Sequence, residues 1–154
     1  MLFLVNKTLI FMSKSDSNVT RVLANDGLSR EKLSIFNLYE NQCLSLNRIR
    51  ELHGNESWAF RIAYNNKFGG VIIQQQPGEG NRKHYHPDAD EKWVIMDRTW
   101  EWWIDGVGTK KVKKVDIIVV PKNTWHLIKC IGDKPGVRYA ITVPDVNHVY
   151  ETEQ

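Results

Sequence analysis

Between residues 57 and 143 turn signals recur at close, even intervals, and each stretch between them is short and β-rich. Ser57–Tyr64 alternates, with Trp58, Phe60 and Ile62 on one face and Ala59, Arg61 and Ala63 on the other. Asn65–Gly70 reads as a hairpin connection, followed by β-rich Val71–Gln76, a turn over 77–81 and a short extended piece at Lys83–His86. After a second turn at 87–90 come Glu91–Met96, Thr99–Ile104, Lys111–Val115, Ile117–Val120, His126–Cys130 and Val137–Val143. Asp105-Gly106, Pro121-Lys122-Asn123 and Gly132–Gly136 punctuate them. Many short strands joined by glycine and proline turns predict an all-β sandwich or barrel.

The flanks read differently. From Val19 to Ile49 apolar residues recur at helix-like intervals, broken at Asp26-Gly27, and Ser29 is placed to cap a short helix. The chain therefore divides into an N-terminal extension with short helices over 1–50, a barrel domain over 51–146 and a polar tail over 147–154. At 154 residues, with 42% hydrophobic and 25% charged side chains, it is long enough for one domain with its own core and is not a disordered chain. Twenty-one Lys and Arg against 18 Asp and Glu give +3, too mild an excess to argue for nucleic acid. Cys43 and Cys130 form neither a CxxC pair nor a disulfide framework, so a reduced, cytoplasmic setting is expected. The opening MLFLVNKTLIFM is apolar, but Asn6, Lys7 and Thr8 interrupt it. It lacks a basic n-region and a small-residue cleavage site, so it is not read as a signal peptide; Met12 is an alternative start. No apolar run reaches 18 residues, so no spanning helix and no membrane partner are expected.

The chemistry-bearing residues fall between 78 and 130. His84-Tyr85-His86 puts two imidazoles at i and i+2, which on a strand point to the same side. Glu91 follows a four-residue turn and can begin the neighbouring strand beside them. His126 opens a later strand. Three imidazoles and a carboxylate converging inside a barrel make a site for one divalent first-row metal, because so many buried polar groups are costly to desolvate without a cation. Four protein ligands leave one or two exchangeable positions for water, oxygen or a chelating substrate.

These residues resemble the cupin family. Its first motif runs Gly, five residues, His-x-His, three or four residues, Glu, six residues, Gly; here Gly78, His84, His86 and Glu91 match and Arg98 stands for the last glycine. The second runs Gly, five residues, Pro-x-Gly, two residues, His, three residues, Asn; Pro121 and His126 match, while Val115, Asn123 and Cys130 replace the two glycines and the asparagine. The resemblance covers about residues 57–143, with a compact spacer over 99–114. It implies a double-stranded β-helix, a jelly-roll barrel, in which His84, His86, Glu91 and His126 bind one metal. Iron, manganese, nickel, zinc or copper would each fit, since the ligand set alone does not select one. Similar small proteins include oxygenases, isomerases, lyases, decarboxylases and non-catalytic binding modules, and they commonly form homodimers.

The remaining side chains carry weaker readings. Trp93 shares a face with Glu91 and is expected inside the barrel near the metal. Trp100 and Trp102 share one face of a strand, which serves either as core and dimer surface or as the wall of a ligand pocket. Arg61 and Arg138, if inward, could hold a carboxylate or phosphate; Gln74 and Gln76 could hydrogen-bond a substrate; Tyr139 is an acid–base candidate and Glu91 a ligand or partly detached base. The alternatives for these residues are salt bridges and surface roles. Cys130 reads as a small buried hydrophobe rather than a reactive thiol, His53 and His148 as surface or core residues, and Lys110–Lys114 as a lysine-guarded edge strand. The combined expectation is a metal-dependent enzyme (oxygenase, or isomerase or lyase) acting on a small, polar, anionic metabolite, or else a small-molecule sensing module.

Overall fold

The computed structural model describes residues 43–64, 66–144 and 146–151, without the side chains of Phe60, Arg61 and Tyr64. The helices expected before residue 43 lie outside the described residues. The first described element is α1, Leu46–His53. Ser45 caps it by accepting from the Arg48 N–H, and Gly54 ends it with φ of 70°, its own N–H donating to Arg50 O at 2.7 Å. The helix crosses the boundary expected at residue 50.

Ten strands follow: β1 (Trp58–Tyr64), β2 (Gly69–Gln75), β3 (Gly80–Tyr85), β4 (Glu91–Asp97), β5 (Thr99–Ile104), β6 (Gly108–Lys113), β7 (Ile117–Val120), β8 (His126–Ile131), β9 (Gly136–Thr142) and β10 (Val149–Tyr150). All pairings are antiparallel. One sheet runs β1-β2-β9-β4-β7 and the other β10-β3-β8-β5-β6. This is the expected all-β jelly roll. Among the described residues no helix is long and apolar enough to cross a membrane.

The main core lies between the sheets and contains Ile73, Trp93, Ile95, Trp100, Trp102, Ile118, Val120, Ile128 and Cys130. Trp100 and Trp102 are fully buried in it, so the aromatic face of β5 is core and not a surface for dimerisation. The β1, β2 and β9 part of the first sheet is covered on its outer face as well. There Ile49 of α1 packs with Trp58, Ile72 and Val137, and burying Ile49 is worth roughly 2 kcal/mol. Ala59, not Trp58, faces the interior of β1. The lysines of β6 lie on an exposed edge strand, as the sequence suggested. The tail is not only polar surface, since β10 pairs with β3.

Among the described residues three other than glycine have positive φ: Arg98 (64°), Val115 (71°) and Asn123 (61°). These are the three motif positions at which this chain has lost the glycine of the cupin motifs; the fourth, Gly78, is kept. The turns have kept the left-handed backbone after losing the residue that adopts it freely. Asparagine tolerates this region, whereas a β-branched side chain does so poorly. Val115 is 77% exposed, so its side chain contributes little packing in return. Val115→Gly should therefore stabilise the fold by about 1 kcal/mol, the left-handed penalty less the added chain entropy of glycine, and Asn123→Gly should be near neutral. Urea denaturation of the two variants checks this ordering.

Candidate metal centre

His84 ends the core of β3, His126 begins β8, and the two are directly paired across the ladder. His86 follows β3 immediately, and Glu91 begins β4 opposite Val120 of β7. The intervening 87–90 turn is tied to the turn before β8: Lys122 N donates to Asp90 Oδ1 at 3.0 Å, and Asn123 N donates to His86 O at 2.8 Å. Both sheets thus deliver ligands to one end of the barrel interior, and all four side chains are at least 96% buried.

Protonation can be read from the partners. His84 Nδ1 lies 2.6 Å from Arg82 O, His86 Nδ1 2.8 Å from Asn147 O, and His126 Nδ1 3.0 Å from Thr124 O. A backbone carbonyl only accepts, so each Nδ1 carries the proton and each Nε2 presents a lone pair. The three Nε2 atoms and Glu91 Oε2 are buried and lack a hydrogen-bond partner. Glu91 Oε2 is 3.3 Å from the Nε2 of both His86 and His126. Lone pairs facing one another in a dry site repel unless a shared cation or a proton sits among them. All four donor atoms lie within 4.8 Å of one another. Donors that share one ion at bonds of about 2.1 Å lie within about 4.2 Å of one another, so the residues would fit a divalent metal after closing by a few tenths of an ångström.

The electrostatics agree. Burial, then the neighbouring His126, pushes His84 well below the usual imidazole range, which keeps it neutral. Burial alone would raise Glu91, but the His126 and His86 rings facing it outweigh that and hold its carboxyl well below the usual range. Burial likewise opposes protonation of His86, yet Glu91 beside it raises that imidazole overall.

The C-terminal segment closes over this end of the barrel. Beyond the Asn147 carbonyl on His86, Asn147 Nδ2 donates to Asp88 at 2.7 Å, and His148 stacks on His84 with ring centroids 5.2 Å apart. Tyr150 lies under the Arg82 guanidinium at 3.5 Å, and Lys83 pairs with Glu151 at 2.7 Å. Sequence reasoning gave Asn147 no role, because a backbone carbonyl leaves no residue-type signal. A chain ending at Val146 loses that acceptor and should bind divalent metal about 10–100-fold more weakly, the usual effect of removing an outer-sphere partner. Competition with a chromogenic chelator measures it.

The substrate residues sort differently from the expectation. Trp93 and Arg138 do point into the barrel, and the guanidinium lies 4.2 Å from the Trp93 ring. Gln74 and Gln76 turn the other way. Gln74 accepts from Arg50 of α1 at 2.9 Å and donates to Glu56 O at 2.8 Å, and Gln76 donates to Asn55 O. They bind the helical segment to the sheet, and Gln75 takes the inward position, accepting from Arg138. Tyr139 packs in the outer cluster under α1, away from the donors, and has no place in acid–base chemistry at the centre. Arg61 pairs with Val71 through its backbone; its side chain lies outside what is described. Cys130 is buried beside Trp100, and burial pushes its thiol up, as suits an inert core residue.

Residues 71–142 match the family profile described as a cupin domain. That match and the two-sheet barrel identify residues 71–142 as a cupin domain. An uncharacterized conserved protein with a double-stranded β-helix domain from Klebsiella pneumoniae has a similar structure: 16% identity, TM-score 0.62, covering 74% of this chain and 94% of that one. So does a sugar phosphate isomerase of the cupin superfamily from Silicibacter pomeroyi, with 18% identity, TM-score 0.51 and coverage of 56% and 58%. An oxalate decarboxylase from Lactobacillus farciminis, in complex with formate, gives 21% identity and TM-score 0.51 over 55% of this chain and 27% of its own. At such identities the likeness is one of fold. Comparison with curated protein sequences finds no match.

Proposed function

We propose that this chain is a metal-dependent cupin enzyme acting on a small, polar, anionic metabolite. The observation that carries the proposal is the set of three bare Nε2 atoms and one bare carboxylate oxygen inside the barrel, each imidazole locked by a carbonyl behind it. A divalent ion held by His84, His86, Glu91 and His126 would supply Lewis acidity and exchangeable coordination positions. Glu91 serves as a charged ligand, and the buried tryptophans pack beneath it and keep that end of the barrel dry. The anionic character of the substrate rests on Arg138, a buried guanidinium whose hydrogen-bond partners are the neutral amides of Gln75 and Asn81.

Oxygenase chemistry and isomerase or lyase chemistry both suit this donor set. Neighbours named as an isomerase and a decarboxylase illustrate how one barrel hosts different reactions. The reading includes a cytoplasmic homodimer, which light scattering of the purified chain tests. Turnover decides between an enzyme and a binding module. The protein, loaded in turn with iron(II) and manganese(II), is incubated with hydroxy acids, keto acids and sugar phosphates while oxygen uptake and product formation are followed. Turnover that disappears in His84→Ala supports the enzyme; tight ligand binding with no turnover over the whole panel contradicts it and favours the sensing module.

A further inference from the structure

Among the described residues, three buried N–H donors inside the barrel have no acceptor: Arg138 Nη1, Trp93 Nε1 and Trp102 Nε1. They belong to one packed cluster. The Arg138 guanidinium lies 4.2 Å from the Trp93 ring and 5.9 Å from the Trp102 ring, and those two rings are 5.6 Å apart. The three side chains are at most 2% exposed. Trp100, packed against the same guanidinium at 5.0 Å, shows the contrast, because its Nε1 donates to Asp97 O at 3.2 Å. The rest of the guanidinium is fully engaged. Nε and Nη2 donate to Gln75 Oε1 at 3.2 and 2.6 Å, and Nη2 also donates to Asn81 Oδ1 at 2.6 Å.

This arrangement aims a cation without neutralising it. Gln75 and Asn81 fix the guanidinium plane from two strands, yet neither brings a negative charge. Burial drags the arginine down to about 9, which still leaves it a cation at neutral pH. The negative charge that acts on it is Glu91 of the donor set above, which makes no ion pair or hydrogen bond with it. A buried guanidinium with no carboxylate in direct contact, surrounded by further N–H groups that lack acceptors, is an expensive arrangement that natural cores avoid. An oxyanion would answer all of it at once, accepting from the indoles and from the free Nη1.

We propose that Arg138, Trp93 and Trp102 form an oxyanion subsite one side-chain layer below the metal ligands. Trp93 is the next inward residue after Glu91 on β4, and two residues of strand rise by roughly 7 Å. Resting on the metal-enzyme reading above, this narrows the substrate to a short molecule that is ionic at both ends. Chelating oxygens at one end meet the cation, and a carboxylate or phosphate at the other meets Arg138.

The test is isothermal titration of succinate and of inorganic phosphate into the metal-stripped full chain, so that no ion can capture the anion itself. Wild-type protein should bind at least one probe, with succinate binding marking a carboxylate subsite and phosphate binding a phosphate subsite. Arg138→Met should weaken that binding at least ~10-fold, the size of a lost charge-assisted hydrogen bond. Gln75→Glu, which builds a carboxylate against the guanidinium, should do the same and decides the matter if Arg138→Met does not fold. Absence of binding by both probes, or unchanged affinity in the folded variants, overturns the subsite. Metal uptake, measured separately after the same preparation is reconstituted with iron(II) or manganese(II) and dialysed, keeps the two proposals apart. Anion binding without stoichiometric metal uptake would sink the metal-enzyme reading alone, and metal uptake without anion binding would sink the subsite alone.

Discussion

His126→Ala should strip the protein of tightly held divalent metal while leaving the barrel folded. His126 meets His84 across the β3–β8 ladder, and its Nε2 is one of the two that face Glu91 Oε2 at 3.3 Å. Removing it deletes a direct ligand, so the loss should exceed the ~10–100-fold that follows removal of an outer-sphere partner. Glu91 also loses one of the two imidazoles that favour its ionised form, so the remaining set is a poorer anion as well as a smaller one. The fold should survive, because His126 sits at the end of β8 while Ile128 and Cys130 fill the core. Metal per chain after dialysis, beside a circular dichroism melt, tests both halves. Metal retention equal to wild type would remove His126 from the centre.

Gly80→Ala should be the most damaging methyl group added at any described glycine. A Cβ at Gly80 would stand 1.8 Å from Ile128 O and 2.7 Å from the carbonyl carbon of Ile128. Both atoms are backbone of β8, so no rotamer change relieves the clash. The strands must part. Overpacking in a well-formed core costs about 1–3 kcal/mol, and a contact this close with fixed backbone belongs at or above the top of that range. The expected result is a loss of roughly 3 kcal/mol or more in urea denaturation. The damage should also reach the site, because β3 and β8 carry His84 and His126. Any folded Gly80→Ala protein should therefore bind metal more weakly. A variant as stable as wild type would mean that the two strands do not approach as described.

Three of the four candidate metal donors were legible in the sequence because their signal is local. A period of two puts His84 and His86 on one side of an extended chain, and a short turn returns Glu91 beside them; His126, on a later strand, was found through its resemblance to the second cupin motif. The inward face of the neighbouring strands was harder to read. Gln74, Gln75 and Gln76 are chemically alike, and β2 is buried on both faces, so polarity gives no hint of which side is inward. The choice depends on α1 covering the outer face, a contact between distant parts of the chain. Tyr139 was misread for the same reason: β9 also lies beneath that cover, and neighbouring Arg138 took the interior. The aromatic face of β5 could be recognised but not its destination, since exposed and buried aromatic stripes look identical before the sheets are paired. The altered glycine positions of the cupin motifs were visible too. The backbone at Arg98, Val115 and Asn123 shows that the turns persist regardless.

The most direct measurement is X-ray absorption on metal-reconstituted protein, read together with metal per chain. The donor geometry predicts one ion per chain, with a first shell of nitrogen and oxygen at about 2.1 Å and outer-shell scattering from three imidazole rings. A sub-stoichiometric metal, or a first shell containing sulfur, would contradict the assignment of His84, His86, Glu91 and His126 to a common cation.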